Sequence, residues 1–518
     1  MTALRSAAAT LLLALYLAHP AFAAPGDLDT TFNGTVGKLL TAVVGVNDYG
    51  AALAVQEDGK ILLAGACQAT VANGSGLGFC MMRWAADGSP DNTFGTNSKV
   101  VTPGGLRNET GVAVAVAVAV QPDGKIVLAG SCTTSLLGFS REVCIRRYLS
   151  NGSPDTSFGT GGFAGAVAST NDTNLVLDSV SLALQPDGKV VVATSCSVGS
   201  KLNFCALRFL TNGGLDTSFG DIATPGKVVT QIGTGTDTVR AMVLQPNGAV
   251  LLGGHCATTN GSVMQFCLAR YTAVGVLDTS FNVNGKRTLQ LAGDNDYLTG
   301  LARQADGKIV AAGHCGGLSI GCMLRLNDSG ATDPDFDTNE RISVSYTYLS
   351  RTAVQPDGRI IVAGFRNVDT SGASASADFV VARRLNTNLP DETFGSGPTG
   401  TVLTAVATGV AFDYGIALAL QPDGKILVGG RCSDSGRAAF CLARYEGGPS
   451  GYKNCKFDID GDSTLHVATD VLITTRVALG FTGSAVLSGI SFPTGATRTT
   501  WPLIRNYLIT QCGVSLTQ

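Results

Sequence analysis

Two short phrases recur seven times each along the 518 residues, and a chain that repeats itself at this period has few architectures open to it. The first, Gln-x-Asp/Asn-Gly, begins at Gln56, Gln121, Gln185, Gln245, Gln304, Gln355 and Gln421. The second, Asp-x-x-Phe, begins at Asp29, Asp91, Asp155, Asp216, Asp278, Asp333 and Asp391. Successive copies stand 51 to 66 residues apart, which marks one supersecondary unit per copy.

The stretch from Tyr49 to Val101 shows what a unit contains. Ala51 to Gln56 is a run of small apolar residues, too short for a helix and closed by a turn at Glu57-Asp58-Gly59. In the next copy Pro122 fixes φ and Gly124 takes the positive-φ place, so a hairpin follows. Further strands are expected over Lys60–Cys67, Phe79–Ala85 and Lys99–Thr102, with a turn at Asp87-Gly88. Four antiparallel strands in about 60 residues are one propeller blade. The expected fold is all-β, a seven-bladed β-propeller of four-stranded antiparallel blades. Ala- and Val-rich first strands such as Val112 to Val120 suit the crowded axis. The chain opens with an unaccompanied strand, Lys38 to Val44, and its seventh unit stops near Tyr445 after three strands. The N-terminal strand should therefore complete the last blade and leave no open edge.

Fourteen cysteines fit an oxidising compartment, and their placement follows the repeat. Pairs stand at Cys67 and Cys80, Cys132 and Cys144, Cys196 and Cys205, Cys256 and Cys267, Cys315 and Cys322, and Cys432 and Cys441. In the sixth unit Arg366 and Val380 replace both members together, as pairing within a unit would produce. A thiolate metal site is the competing reading; ligands separated by 6 to 12 intervening residues without clustered histidines fit it poorly. Cys455 and Cys512 are left to close the C-terminal segment.

Arg5, the apolar run Ala7 to Ala18 and the Ala21-Phe22-Ala23 site read as an export signal over residues 1–23. A secreted or periplasmic, soluble and monomeric chain from Ala24 onward is expected, since no later stretch is long and apolar enough to span a bilayer. Charged residues are 14% against a usual share of about 25%. The net charge of -3 offers no basic face to a nucleic acid, so protein or carbohydrate partners are expected.

An arginine stands three residues after the second cysteine position in every unit: Arg83, Arg147, Arg208, Arg270, Arg325, Arg383 and Arg444. Seven copies argue for a structural pair with the repeated aspartate, the alternative being a ring of cations for an anionic ligand. The repeated phenylalanine is expected in the core. Positions that differ between units are better ligand candidates. Just before the first cysteine position stand Ala66, Ser131, Ser195, His255, His314, Phe365 and Arg431. His255 and His314 fall on neighbouring blades, where they could face a ligand together or bind a metal with a carboxylate; with Arg431 they are the candidate ligand residues. No catalytic residue can be assigned.

Gly447-Gly448-Pro449-Ser450-Gly451 reads as part of a linker over 447–454, between a propeller over 24–446 and a small helical domain over 455–518. Asp458, Asp460, Asp462 and Thr464, with Asp470 beyond, supply the alternating oxygens that Ca²⁺ requires. The alternative is an acidic turn capping a helix. Helices are expected over Val471 to Phe481 and after Thr500, with Pro502 in the first turn of the second.

Gln121-Pro122-Asp123-Gly124-Lys125-Ile126-Val127-Leu128-Ala129-Gly130, with Leu215-Asp216-Thr217-Ser218-Phe219-Gly220, resembles the bacterial delta-60 repeat, over about residues 27–446. That resemblance implies a propeller of uncharacterised function. The tail resembles the dockerin-like calcium modules of secreted bacterial proteins, which implies a calcium-stabilised helical domain. It departs from them at Ser463, where a loop glycine is usual, at Asp470, one place late, and in having no second Asp-rich loop. The expected function is a secreted binding or scaffold protein presenting a loop face, between second and third strands, to its ligand. The rivals are an extracellular polysaccharide-acting hydrolase or lyase at the channel mouth and a purely structural surface component.

Overall fold

In the computed structural model the chain forms seven antiparallel sheets, the blades of a β-propeller, followed by a few short helices. Residues 23–510 are described, apart from the stretches 103–112, 134–140, 170–179, 337–346, 370–375 and 449–457 and shorter breaks between them. The leader over residues 1–22, Cys455, Ser463 and Cys512 therefore lie outside the described residues.

Blade 1 runs outward through Asp48–Val55, Ile61–Val71, Gly74–Trp84 and Lys99–Thr102, hydrogen-bonded in chain order. Blades 2 to 7 begin with Ala113–Val120, Ser181–Leu184, Asp237–Leu244, Asp296–Arg303, Thr347–Val354 and Asp413–Leu420. Three strands of blade 5 are described, Asp296–Arg303, Ile309–Cys315 and Ile320–Leu326. Blade 7 takes its fourth strand from the N-terminus: Lys38–Thr41 pairs antiparallel with Arg437–Tyr445, Lys38 opposite Ala443 and Thr41 opposite Phe440. This strand ends before Val44 because the amides of Val43, Val44 and Gly45 turn away to the Asp48 carboxylate.

Each blade is a thin sheet whose two faces pack against its neighbours, so the core is a circle of clusters rather than one mass. Val127, Ile145, Val190 and Leu207 fill the junction of blades 2 and 3. Leu63, Met82, Leu427 and Leu442 fill the junction where the chain closes on itself. A buried cluster of this kind lies at each of the seven junctions.

The two sevenfold phrases meet at one end of the ring. Arg83 Nε donates to Asp91 at 2.8 Å, while its Nη1 donates to Gln56 and to the Ser150 carbonyl of the next blade. Its guanidinium lies 4.4 Å from the Phe94 ring centroid. The remaining six arginines pair with Asp155, Asp216, Asp278, Asp333, Asp391 and Asp29 in the same way. They donate in turn to the carbonyls of Thr211, Ala273, Asp328, Asn386, Gly447 and Ala86. All seven are buried. They form a girdle that joins each blade to the next, not a set of cations facing solvent. At Gly88, with φ +88°, an added Cβ would stand 2.7 Å from the Phe32 ring in the turn before the closing strand, so the girdle also needs its turn glycines.

The girdle aspartates titrate below the usual carboxylate range. For Asp216, burial alone would raise the carboxyl; hydrogen bonds from Ser218 and Lys189 and the Arg208 charge outweigh it and hold the group at about 2. A carboxylate held below its unfolded value of about 3.9 contributes stability above that pH and loses it as pH falls through the folded value. Stability should therefore drop between about pH 4 and pH 2. A melting temperature unchanged down to pH 2 would contradict this.

Deleting residues 27–45 removes Asp29 from the Arg444 pair and Lys38–Thr41 from the last blade. The expected product aggregates, because the Arg437–Tyr445 strand becomes an exposed edge. Size-exclusion chromatography checks this; a monomeric product with the parent's melting temperature would count against strand closure.

Candidate functional site at the channel mouth

The other end of the ring carries the loops between second and third strands. Cys67 stands opposite Gly78 and Cys80 opposite Gly65, a diagonal offset that repeats in every disulfide-bonded blade. The bonds Cys67–Cys80, Cys132–Cys144, Cys196–Cys205, Cys256–Cys267, Cys315–Cys322 and Cys432–Cys441 brace these loops, with Cα separations of 5.6 to 5.9 Å. Blade 6 keeps the same register with Arg366 opposite Asp378 and Val380 opposite Gly364.

In blades 1, 2, 4, 5, 6 and 7 the first strand carries a β-bulge at this level, and the bulge explains a glycine. A Cβ on Gly65 would stand 1.8 Å from the Tyr49 carbonyl oxygen, and Gly254 meets Thr238 equally closely. A second repeated device escaped the sequence reading. Asp48, Asp237, Asp296 and Asp413 are fully buried at the start of their first strands. Each accepts amides of the incoming blade-to-blade connection: Val43 and Gly45, Ile232 and Gly233, Leu291 and Ala292, Val406 and Ala407. Burial raises the carboxyls of Asp237 and Asp413 despite these bonds. Each of the four stands 19 positions before the first cysteine of its unit, a spacing that would have identified them.

The variable positions of the repeat come together at this mouth. His255 packs against Tyr297 (centroids 4.9 Å apart), Tyr297 against His314 (5.1 Å), and His314 against Tyr348 (5.3 Å). Tyr348 stacks on Phe365 at 5.0 Å and Phe365 meets Tyr414 edge-on at 4.7 Å. Arg431 closes the series between Tyr414 and Tyr49, 4.7 and 5.4 Å from their centroids. One hoop of rings and a guanidinium thus runs from blade 4 through blades 5, 6 and 7 to blade 1. The remainder is small: Ala66, Ser131 and Ser195 are buried, and Ser195 Oγ accepts the Val239 amide at 3.0 Å.

His255 and His314 do not converge on a metal, because the Tyr297 ring stands between them. Burial, with the Arg240 charge, lowers them to about 3 and about 4, so both are neutral imidazoles near pH 7. Nδ1 of each is buried without a partner. Sequence reasoning found the histidines and Arg431 but missed the tyrosines, which lie one strand earlier and pair across the sheet with Ala66, His314, Phe365 and Arg431.

Below the mouth the seven first strands enclose a cavity of about 190 Å³. Its wall is mostly Ala, Leu, Val and Gly, with Ser181, Thr352 and two arginines, Arg240 and Arg351.

In the tail the carboxylate oxygens of Asp458, Asp460 and Asp462 lie within 4.8 Å of one another. Asp460 is fully buried, and its Oδ2 has no partner. Asp470 is placed differently: its carboxylate accepts the amides of Ile459, Asp460 and His466 and clamps the loop. Thr464 Oγ1 donates to Asp462 and lies 2.7 Å from His466 Nε2. The first tail helix differs from expectation. A π-helical turn occupies Val467–Val471, the α-helix spans Leu472–Ala478, and the Phe481 amide returns to the Arg476 carbonyl to end it. The last helix is Trp501–Thr510. Among the described residues no helix is long and apolar enough to cross a membrane.

No curated protein matches the chain. Among solved structures, a Dyadobacter fermentans protein of unknown function is 12% identical, covering 79% of this chain and 99% of its own, with a TM-score of 0.34. Domains 1–2 of Drosophila Semaphorin 1b are 11% identical, covering 84% and 88%, with a TM-score of 0.38. The polysaccharide lyase Uly1 is 10% identical, covering 78% and 91%, also at 0.38. Likeness at this level says nothing about ligand or reaction. A family described as "Domain of unknown function (DUF5122) beta-propeller" matches residues 56–94, 121–158, 185–219, 245–281, 304–336, 355–388 and 421–447. The first five matches run from the turn glutamine to the girdle phenylalanine, and all seven omit the tyrosines of the hoop. The ring is built from seven repeats that match the DUF5122 β-propeller family.

Proposed function

We propose that the protein is a secreted binding or scaffold module, whose disulfide-braced face holds a protein or carbohydrate ligand at the channel mouth. The observation that carries this reading is the unequal hoop. Every sevenfold element of the ring serves closure, whereas among the described residues the mouth is aromatic over blades 4 to 7 and 1 and carries only Ser131 and Ser195 at the matching positions of blades 2 and 3. Amphipathic tyrosines at a concave mouth are the residues that recognition sites favour. Six disulfides and the leader over residues 1–23 support an oxidising destination outside the cytoplasm.

The rival is a polysaccharide-acting hydrolase or lyase at the same mouth. Hydrolysis of a glycoside ordinarily needs two carboxyls about 5 to 9.5 Å apart across the scissile bond. Asp48, Asp237, Asp296 and Asp413 instead hold backbone amides. Affinity electrophoresis of the full chain through a panel of polysaccharides, with envelope proteins as a parallel panel, separates the readings. Tyr297→Ala and Tyr348→Ala should weaken retention about tenfold, equivalent to about 1.4 kcal/mol, without unfolding the ring. Retention unaffected by both substitutions would remove the mouth as the site; shortened polysaccharide chains would favour the rival.

For the tail we propose a calcium ion on Asp458, Asp460 and Asp462. The unpartnered, buried Asp460 Oδ2 supports this, since a bare oxygen there lacks any compensating donor. Melting of the full chain should show a tail transition that rises with calcium, by about 2.7 kcal/mol at a hundredfold excess over Kd, and Asp460→Asn should abolish the rise. Coincident curves in calcium and chelator would exclude the ion.

A further inference from the structure

We propose that the aromatic hoop is a saccharide site whose ligand is an uncharged glycan chain, its sugar rings lying against Tyr297, Tyr348 and Tyr414. The proposal rests on the binding-module reading and narrows it to one ligand class.

The hoop occupies positions at which the fold does not ask for a ring. In blades 1, 5, 6 and 7 the second residue of the first strand is a tyrosine, Tyr49, Tyr297, Tyr348 or Tyr414. Thr238 holds the same place in blade 4, opposite His255, and Val114 holds it in blade 2, opposite Ser131. Those strands pair and bulge in the same way, so the tyrosines answer to something other than register. Such departures from a local rule mark functional positions. The four tyrosines are half-buried, and each keeps part of its surface open. Phe412 extends the series past Tyr414: the two rings stack 6.1 Å apart at 9°, and Phe412 is 39% exposed.

Charge separates the ligand classes. No member of the hoop is a carboxylate, and both imidazoles are neutral near pH 7. The single guanidinium, Arg431, lies over the Tyr414 and Tyr49 rings. A charged partner would find no complementary array here. A stable protein partner covers about 800 Å² on each side. The rings instead gather at the opening of a channel whose cavity holds about 190 Å³, a concave scale suited to a chain one sugar wide.

A sugar ring answers both halves of this surface. Its C–H faces are apolar and lie against aromatic faces, while its hydroxyls both donate and accept. Nδ1 of His255 and Nδ1 of His314 are buried without partners, which costs free energy in the free protein. A neutral imidazole nitrogen is donor or acceptor according to tautomer, and a hydroxyl satisfies it either way. A carboxylate can only accept and an ammonium can only donate. A hydroxyl entering beside Tyr297, which stands between the two imidazoles, would relieve that cost.

The test is calorimetric titration of the full chain with cellohexaose, xylohexaose, mannohexaose and chitohexaose. It is run at low salt and again at about 1 M NaCl, where charges are screened beyond about 3 Å. Binding of at least one sugar, unchanged by salt and weakened at least about tenfold in Tyr297→Ala or Tyr348→Ala, supports the site. The chain has only four histidines, so the His255 and His314 ring resonances can be followed directly. They should move at saturating sugar while that of His466 stays. Failure of the parent to bind any of the four sugars, binding lost in salt, or affinity unchanged in both variants overturns the proposal. Hoop resonances that stay fixed at saturation also overturn it, and they decide even where a variant does not fold. An envelope protein retained by the parent and released by Tyr297→Ala, with no sugar bound, overturns the saccharide site and keeps the binding-module reading. A parent that holds neither sugar nor protein loses both.

Discussion

A guanidinium shared between two blades is the contact on which the ring depends. Each blade is four strands thick at most and cannot bury both faces alone, so stability resides in the junctions. At every junction one arginine holds its own blade's aspartate and the next blade's carbonyl while lying on a phenylalanine ring. Burial of seven guanidinium groups is tolerable only because each is met by a carboxylate and by carbonyl oxygens. The repeat phrases record this: arginine, aspartate and phenylalanine meet in one contact, which the turn glutamine joins at Arg83 and Arg325.

The closing strand extends the same logic. Asp29 supplies the seventh aspartate from the opposite end of the chain, so Arg444 lacks its girdle carboxylate until the N-terminus has come round. The ring forms as a unit or leaves a charge buried without its counter-ion. The disulfides act at the other end and within single blades, where each shortens the freedom of one loop without joining neighbours. Blade 6 holds its register without one, which shows that the register is set by strand pairing and the bulge rather than by the covalent bond.

What was legible in the sequence follows from what repeats. Sevenfold phrases gave the blades, the girdle arginines and the cysteine pairs, because a periodic contact writes a periodic residue. Lys38–Thr41 was legible as a strand lacking companions. The hoop was half legible. His255, His314 and Arg431 stood out by differing between copies, but their tyrosine neighbours sit about 17 residues earlier and meet them only across a pair of strands. Asp470 shows the opposite limit. A carboxylate at the right spacing reads as a metal ligand, and the structure adds a second role, accepting three backbone amides. Spacing reports that an oxygen is near; it does not report what already occupies it.

The closure also gives the ring a polarity. Pro25 and Gly447 lie at the girdle: the Gly26 amide donates to the Glu446 carbonyl, Pro25 accepts the Gly395 amide, and Gly447 accepts from Arg383. The chain therefore enters and leaves the ring at the end remote from the hoop. Anything joined through either terminus pulls on the girdle, and the mouth stays clear of its own tether. A ring held by that end, on a surface or to a larger assembly, would stand with its open mouth turned outward.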